Sequence, residues 1–335
     1  MERKLPMKAA LLKSPHNLVI TDVPDPSCDP DEVLLKIHCS SICNATDVHI
    51  WEGTFPKEAR PPYPHILGHE CSGEIVEVGK EVKDWAVGDR VGYWVKMSGA
   101  FAEYNALKIN SLAAAKLSKA ISDEEAPIME IVCGTLRCMY NNGMNIGDRV
   151  LVFGQGPTGL VLAQEARLFG AGFVGTVDLF DNRLLKSSEF GADFTFNLKG
   201  KSQDLAYEEL MDKVGKVDFI IDAMGNHRWN GGNAINLGLS LLRRGGIYQI
   251  WGHPTENQDI NTRWISNENY TVKGFEPGWE ISKKLIEFGE QLVATGRIDI
   301  KNLITHRLPL ENLEDGLILC RDHHDKTIKV VININ

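Results

Sequence analysis

No stretch of eighteen or more apolar residues occurs in the 335-residue chain, so no membrane-spanning helix is expected. No basic block occurs either. The chain has 36 lysines and arginines against 45 aspartates and glutamates, a net charge of −9, which argues against a general nucleic-acid binder. The opening segment MERKLPMKAALLKSPHN is basic but has no long apolar core, so no secretory signal is expected. Internal repeats and low-complexity tracts are absent. The seven cysteines are Cys28, Cys39, Cys43, Cys71, Cys133, Cys138 and Cys320. Their odd number and irregular spacing exclude a disulfide framework and point to reduced thiols in the cytoplasm. Hydrophobic residues at 43% and charged residues at 24% are ordinary for a soluble chain of about two domains.

The pattern changes near the middle. Residues 1–130 carry short β-branched runs, such as Val33–Ile37, Gly73–Val78 and Arg90–Trp94, separated by turns at Pro24-Asp25-Pro26, Gly79-Lys80 and Gly88-Asp89. Many short strands predict a β-barrel or sandwich, with a looser antiparallel sheet carrying helices as the alternative. From about residue 132, strands and helices alternate. Strands are predicted over Arg149–Phe153, Phe173–Val177, Val217–Ile221 and Gly246–Trp251. Helices are predicted over Pro157–Phe169 and Asn182–Phe190, the second ending at Gly191 as C-cap. That alternation implies an α/β fold with a doubly wound parallel sheet. A helix over Ile281–Thr295 and a strand over Lys326–Ile334 close the chain.

Gly154-Gln155-Gly156-Pro157-Thr158-Gly159 follows a predicted strand and opens a helix, the context that gives G-x-G-x-x-G its meaning. Gly154 permits the tight turn, Gly156 lets backbone approach a pyrophosphate, and Gly159 allows helix and strand to pack closely. The helix N-terminus offers N–H groups and a positive dipole end to phosphates. Asp178 ends the second strand, 24 residues after Gly154, at the spacing of a carboxylate that accepts hydrogen bonds from the adenosine ribose. It would repel a 2′-phosphate. Leu179 and Phe180 add no positive charge, and Arg183 lies one helical turn on, so NAD is favoured over NADP. Asp178 could instead cap the following helix, but Asp181 is better placed to do so.

Gly68-His69-Glu70 within PHILGHECSGEIVEVG, then Val87-Gly88-Asp89-Arg90-Val91, GAFAEY at 99–104, GQGPTG and the segment 130–193 together resemble the medium-chain dehydrogenase/reductase superfamily. The resemblance is to its zinc-dependent alcohol and polyol dehydrogenases, and it covers nearly the whole chain. It implies a GroES-like β-barrel catalytic domain over 1–131 and 276–335, and a Rossmann domain inserted at 132–275. It implies a catalytic zinc between the domains, with three protein ligands and one open position. Ala223 and Gly225, in Asp222-Ala223-Met224-Gly225, would lie near the nicotinamide ribose. Homodimers or homotetramers are usual in the family. No cysteine lies between Val91 and Asn110, where many members bind a structural zinc, so only one ion is expected.

By this resemblance His69 is a zinc ligand, and Glu130, in PIMEIVCGTLRCMYNN, matches the third ligand of the polyol branch. Ile131 replaces the proline of the usual E-P-L. Glu70 would ligate directly or act beside the metal. The first ligand is irregular. The family cysteine stands two residues before a Ser/Thr-Asp pair; in Cys43-Asn44-Ala45-Thr46-Asp47 that place belongs to Asn44, with Cys43 displaced by one. Three readings stay open. Cys43 reaches the metal through a rearranged loop, Asn44 occupies the position and weakens the metal, or Cys43 is a plain buried thiol. Thr46 and His49 match the family's proton relay, in which a hydroxyl takes the alcohol proton and passes it through the nicotinamide ribose to an imidazole near solvent. The plainer alternative for this pair is a turn residue and a surface histidine.

The expected function is NAD-dependent oxidation of a secondary alcohol to a ketone, with a polyol, sugar or cyclitol-like compound as substrate and zinc as Lewis acid. Two alternatives remain: a metal-free quinone or enoyl reductase, and a non-catalytic NAD-binding protein whose zinc site has decayed. Trp51, Phe55, Tyr93, Trp94, Phe101, Trp251, Phe275 and Trp279 could line a pocket or pack a core.

Overall fold

The computed structural model describes residues 6–94, 99–111, 113–140, 142–225, 229–252, 257–274 and 283–334. The chain divides into two compact units, Met1–Cys133 with Trp279–Asn335, and Gly134–Gly278.

The first unit is built on two sheets. In one, Met7–Ser14 pairs antiparallel with Asn17–Val23 and with His65–Ile66. The other runs, in space, Ile304–Pro309, Lys329–Asn333, Val33–Ser41, Glu70–Val78, Arg90–Trp94, Ala113–Lys116, with Tyr104–Leu107 also on Val33–Ser41. Ala9 bridges Ala102, and Ala10 N–H donates to the Phe101 carbonyl at 2.8 Å, which fastens the first sheet to the segment that leads into Tyr104–Leu107. Leu35, Ile37, Cys71, Ile75 and Val91 fill one apolar core of this unit. A second gathers Leu12, Ile42, Ile50, Trp51, Phe101, Leu317 and Ile332.

Three predicted strands of this unit have other limits, and the one predicted over Gly73–Val78 begins at Glu70. The run from Val33 continues to Ser41, which carries the chain directly to Cys43. The last strand begins at Lys329, not Lys326, because Lys326 and Thr327 N–H groups both donate to the His323 carbonyl in a turn.

The second unit contains a six-stranded sheet. Its spatial order is Phe194–Asn197, Phe173–Asp178, Arg149–Phe153, Val217–Asp222, Leu242–Ile250, Thr271–Gly274, every pair parallel. In chain order that is third, second, first, fourth, fifth, sixth, the doubly wound Rossmann arrangement. Val150, Leu151, Val152 and Phe153 are fully buried, as befits a central strand covered on both faces. The fifth strand starts four residues earlier than predicted, at Leu242, which pairs with Val217 before a register shift. Pro157–Leu168 and Asp181–Glu189 are helical. The second has Phe190 as its C-cap residue, followed by Gly191 at φ +89°. Ile281 lies outside the described residues; the helix predicted from it runs over Lys283–Ala294.

Candidate functional site

Strand Val33–Ser41 delivers Cys43 to the start of the helix Thr46–Glu52, and strand Glu70–Val78 begins at the residue after His69. The fully buried Asp47 carboxylate joins them. Its Oδ2 accepts the Cys43 N–H at 2.9 Å, and its Oδ1 stands 3.1 Å from His69 Nδ1. The other ring nitrogen, His69 Nε2, is 3.8 Å from Glu70 Oε1. Donor atoms of Cys43, His69 and Glu70 all lie within 4.8 Å of one another. Burial works against charge on His69, but Asp47 and Cys43 outweigh it and hold the imidazole pKa well above its ordinary value.

Glu70 is 0% exposed. Its Oε2 accepts from Lys329 Nζ at 2.7 Å and from the Ser41 hydroxyl. Its Oε1 has no hydrogen-bond partner among the described residues. A buried carboxylate oxygen without a donor is costly, and this one sits beside a thiol and an imidazole. Burial depresses the Lys329 ammonium, but Glu70 and Cys43 more than reverse that and raise its pKa. Asp47, Ser41 and Lys329 were not singled out from sequence. Asp47 had a signal in the Ser/Thr-Asp pair. Lys329, 259 residues from Glu70, had none.

The structure does not bring Glu130 into the set of three close donors. It stands in the first turn of the helix Met129–Tyr140, near enough to feel its neighbours. Burial and the Glu70 charge push its carboxyl pKa up to about 7, against the opposite influence of His69 and Lys329. Asn44 turns away from the cluster: its Nδ2 donates to the Ile328 carbonyl at 2.9 Å, and its Oδ1 accepts from Cys320 Sγ at 3.7 Å. Cys43, not Asn44, therefore faces His69 and Glu70. Thr46 and His49 lie three residues apart on one helix, a spacing that shares a face. His49 Nδ1 is 3.0 Å from Thr54 Oγ1 and 3.7 Å from Glu52 Oε2.

In the second unit the glycine loop has the predicted context. Gly154 has φ +83°, and a Cβ there would meet Met224 Cγ at 2.8 Å. Gly156 is the N-cap of Pro157–Leu168, with Pro157 in the first turn, where a missing N–H costs nothing. Thr158 is half-buried in that turn. A Cβ on Gly159 would stand 1.8 Å from the Gly154 carbonyl oxygen, whereas one on Gly156 would meet nothing within 4 Å.

Asp178 closes the second strand at 6% exposure. Its Oδ2 accepts the Gln155 N–H at 2.5 Å, and its Oδ1 accepts those of Leu179 at 2.7 Å and Phe180 at 2.9 Å. It is not a helix cap. Nor is Asp181: Phe180 is the N-cap residue, and Asp181 Oδ1 accepts instead from Asn197 Nδ2 at 2.6 Å. The Arg183 guanidinium lies 5.2 Å from the centroid of the Phe180 ring. Asp222 shapes the turn bearing Ala223 and Gly225, accepting from Met224 N–H and the Tyr248 hydroxyl, both at 2.9 Å.

A cavity of about 640 Å³ is lined by Leu179, Phe180, Lys199, Lys201, Ser202 and Trp229, among others. Both lysines follow the third strand and line the cavity beside the uncharged Leu179 and Phe180, with Lys201 Nζ also paired to Glu209 Oε1 at 2.9 Å. Of the aromatics, Trp51 and Phe101 are core residues, and Phe55 and Trp251 are half-buried. Phe275, Trp279 and the side chains of Tyr93 and Trp94 lie outside what is described. No described helix is long and apolar enough to cross a membrane.

Comparison with known proteins accounts for both units. Residues 29–116 match the alcohol dehydrogenase GroES-like domain, and residues 157–289 match the zinc-binding dehydrogenase family. The chain is 28% identical to sorbitol dehydrogenase of Bacillus subtilis, over 98% of each chain. A structure described as a short chain alcohol dehydrogenase from E. coli, complexed with NADH, is 25% identical with a TM-score of 0.84, covering 98% of this chain and 99% of that one. A putative zinc-binding dehydrogenase from Sinorhizobium meliloti, bound to NADP, has the same identity, TM-score and coverage. With a GroES-like domain, a Rossmann domain and these relatives, the chain belongs to the zinc-dependent alcohol and polyol dehydrogenases of the medium-chain dehydrogenase/reductase superfamily.

Proposed function

We propose that this protein transfers a hydride between NAD and a secondary alcohol, a polyol, sugar or cyclitol-like compound, with one catalytic zinc held by Cys43, His69 and Glu70. The observation that carries the proposal is the approach of those three donors within 4.8 Å. One thiol, one imidazole and one carboxylate suit zinc and leave a fourth position open. The unpartnered Glu70 Oε1 supports the fit, as does Asp47, which holds His69 Nδ1 and leaves Nε2 for the ion. When bound, zinc supplies Lewis acidity toward an alcohol oxygen and NAD accepts the electron pair.

The protein's own part is to bind and to move protons. Thr46 Oγ1 accepts the substrate hydroxyl proton as its own proton passes on toward His49, whose imidazole takes up a proton and releases it to solvent, roles suited to a hydroxyl and an imidazole on one helical face. Glu130 supplies a nearby carboxyl whose pKa burial and the Glu70 charge push up. In the second unit Gly154, Gly156, Pro157, Thr158 and Gly159 form the pyrophosphate loop. Asp178 and Arg183 receive the adenosine ribose, and Ala223 and Gly225 receive the nicotinamide ribose. The open space at Gly156 supports that placement.

One observation favours a second cofactor reading. Lys199 and Lys201 line the cavity beside Leu179 and Phe180, and a 2′-phosphate there would find cations, so NADP is the alternative. Zinc content of the purified protein, followed by turnover of a polyol panel with NAD and with NADP, tests the whole proposal. Zinc-free protein that still reduces quinones or enones would make it a metal-free reductase instead. Cofactor binding without turnover of any alcohol would make it a non-catalytic relative.

A further inference from the structure

The segment 328–330 grips the cysteine loop at three points. Ile42 N–H donates to the Val330 carbonyl at 3.0 Å. Asn44 Nδ2 donates to the Ile328 carbonyl at 2.9 Å. Lys329 Nζ donates to the Ile42 carbonyl at 2.9 Å. The same ammonium donates to Glu70 Oε2 at 2.7 Å. Lys329 and Glu70 side chains are each 1% exposed, and the residues flanking the lysine, Ile328, Val330, Val331 and Ile332, are buried and apolar. Nothing in an apolar strand calls for a cation. Burying one is costly unless it is paired and its donors are used.

We propose that Lys329 is a positioning residue of the metal centre: by holding the Ile42 carbonyl and Glu70 Oε2 at one point, it sets the separation of the Cys43 and Glu70 donors. The inference rests on the metal reading above and adds to it. Ile42 immediately precedes Cys43, so a restraint on its carbonyl restrains the direction in which the loop presents the thiol. Glu70 Oε2 is claimed by Lys329 and by the Ser41 hydroxyl, which turns Oε1 toward His69 Nε2. Asn44 completes the clamp. With its amide nitrogen spent on Ile328 and its carbonyl on Cys320 of the helix Leu313–Asp322, the loop is held with Cys43 inward although the cysteine stands one residue from its usual place. Lys329 touches no donor atom that faces the ion, so it acts through the residues it holds.

The test measures metal binding by the full chain without substrate. Zinc affinity is read by competition with a chromophoric chelator, and ligand geometry from the visible spectrum of the cobalt-substituted protein. Lys329→Met is expected to weaken zinc by about 10–100-fold, the scale for lost supporting contacts around a metal, and to change the cobalt spectrum. Near-ultraviolet circular dichroism of the metal-free variant checks its folding. Ser41→Ala removes the second donor to Glu70 Oε2 with little loss of volume, is expected to weaken zinc in the same direction by a smaller factor, and decides the matter if Lys329→Met does not fold. Unchanged affinity and an unchanged cobalt spectrum in the folded variant would overturn the inference. Wild-type protein that binds no zinc overturns the metal reading, and this one with it, before any substitution is made.

Discussion

Asp47 reaches His69 and Cys43 at once, standing 3.1 Å from the imidazole Nδ1 and 2.9 Å from the Cys43 amide. A single carboxylate thus fixes the ring orientation of one donor and the backbone of another. Asp47→Asn keeps the shape and removes the charge that favours a His69 Nδ1–H. It is expected to cut zinc affinity by about 10–100-fold with little change in the dinucleotide site. Zinc titration alongside NADH fluorescence binding checks both halves, and equal zinc affinity in variant and wild type counts against the assigned role.

Cys43→Ser is expected to lose most of the zinc, because a neutral hydroxyl is a far weaker ligand than thiolate. Asn44→Ala should cost less, since Asn44 contacts Ile328 and Cys320 rather than the cluster. Metal analysis after dialysis distinguishes them. A zinc site that survives Cys43→Ser intact removes Cys43 from the ligand set.

Asp178→Ala is expected to weaken NAD binding and narrow the preference over NADP by about 2 kcal/mol, the scale of a hydrogen bond to a charged group. Three backbone amides also lose their acceptor, so the melting temperature should fall as well. Wild-type protein that uses both cofactors at equal rates would point instead to Lys199 and Lys201 as the residues that set cofactor choice.

Glu165 is fully buried in the second unit. Its Oε1 accepts from the Thr135 hydroxyl at 2.8 Å, while Oε2 has no hydrogen-bond partner among the described residues. Burial pushes its pKa well above the usual carboxylate value, Thr135 opposing. The folded protein therefore keeps a proton that the unfolded chain gives up. That stability is fully present below the ordinary glutamate range and is lost as pH rises toward the folded-state pKa. Glu165→Gln should remove the dependence. The melting temperature of the variant relative to wild type is expected to rise by about 2–4 °C per kcal/mol of relief, more at pH 8 than at pH 5. An offset independent of pH would refute the assignment.

Much of this was legible in the chain itself, for physical reasons. A sheet buried on both faces demands continuous apolar runs, so Arg149–Phe153 was read with its observed limits. The glycine loop was legible because a left-handed turn at Gly154 and the close approach of Gly159 to the Gly154 carbonyl admit no side chain. Counting residues could not decide between Cys43 and Asn44, since spacing does not say which way a loop side chain turns. Glu130 was matched to a family motif, and the trio of mutually close donors is complete without it. Lys329 was invisible because only tertiary folding brings it to Ile42 and Glu70, and Lys199 and Lys201 because only the fold sets them beside Leu179 and Phe180.

The strand Lys329–Asn333 pairs with Val33–Ser41, so the unit bearing Cys43 and His69 is interrupted by the whole of the other. On the ribosome the parallel sheet of the second unit is fully synthesised before residues 328–330 emerge to hold the cysteine loop. Vectorial synthesis therefore sets an order of assembly. The second unit can mature first, and the contacts of Ile328, Lys329 and Val330 with the cysteine loop form only when the closing strand is made.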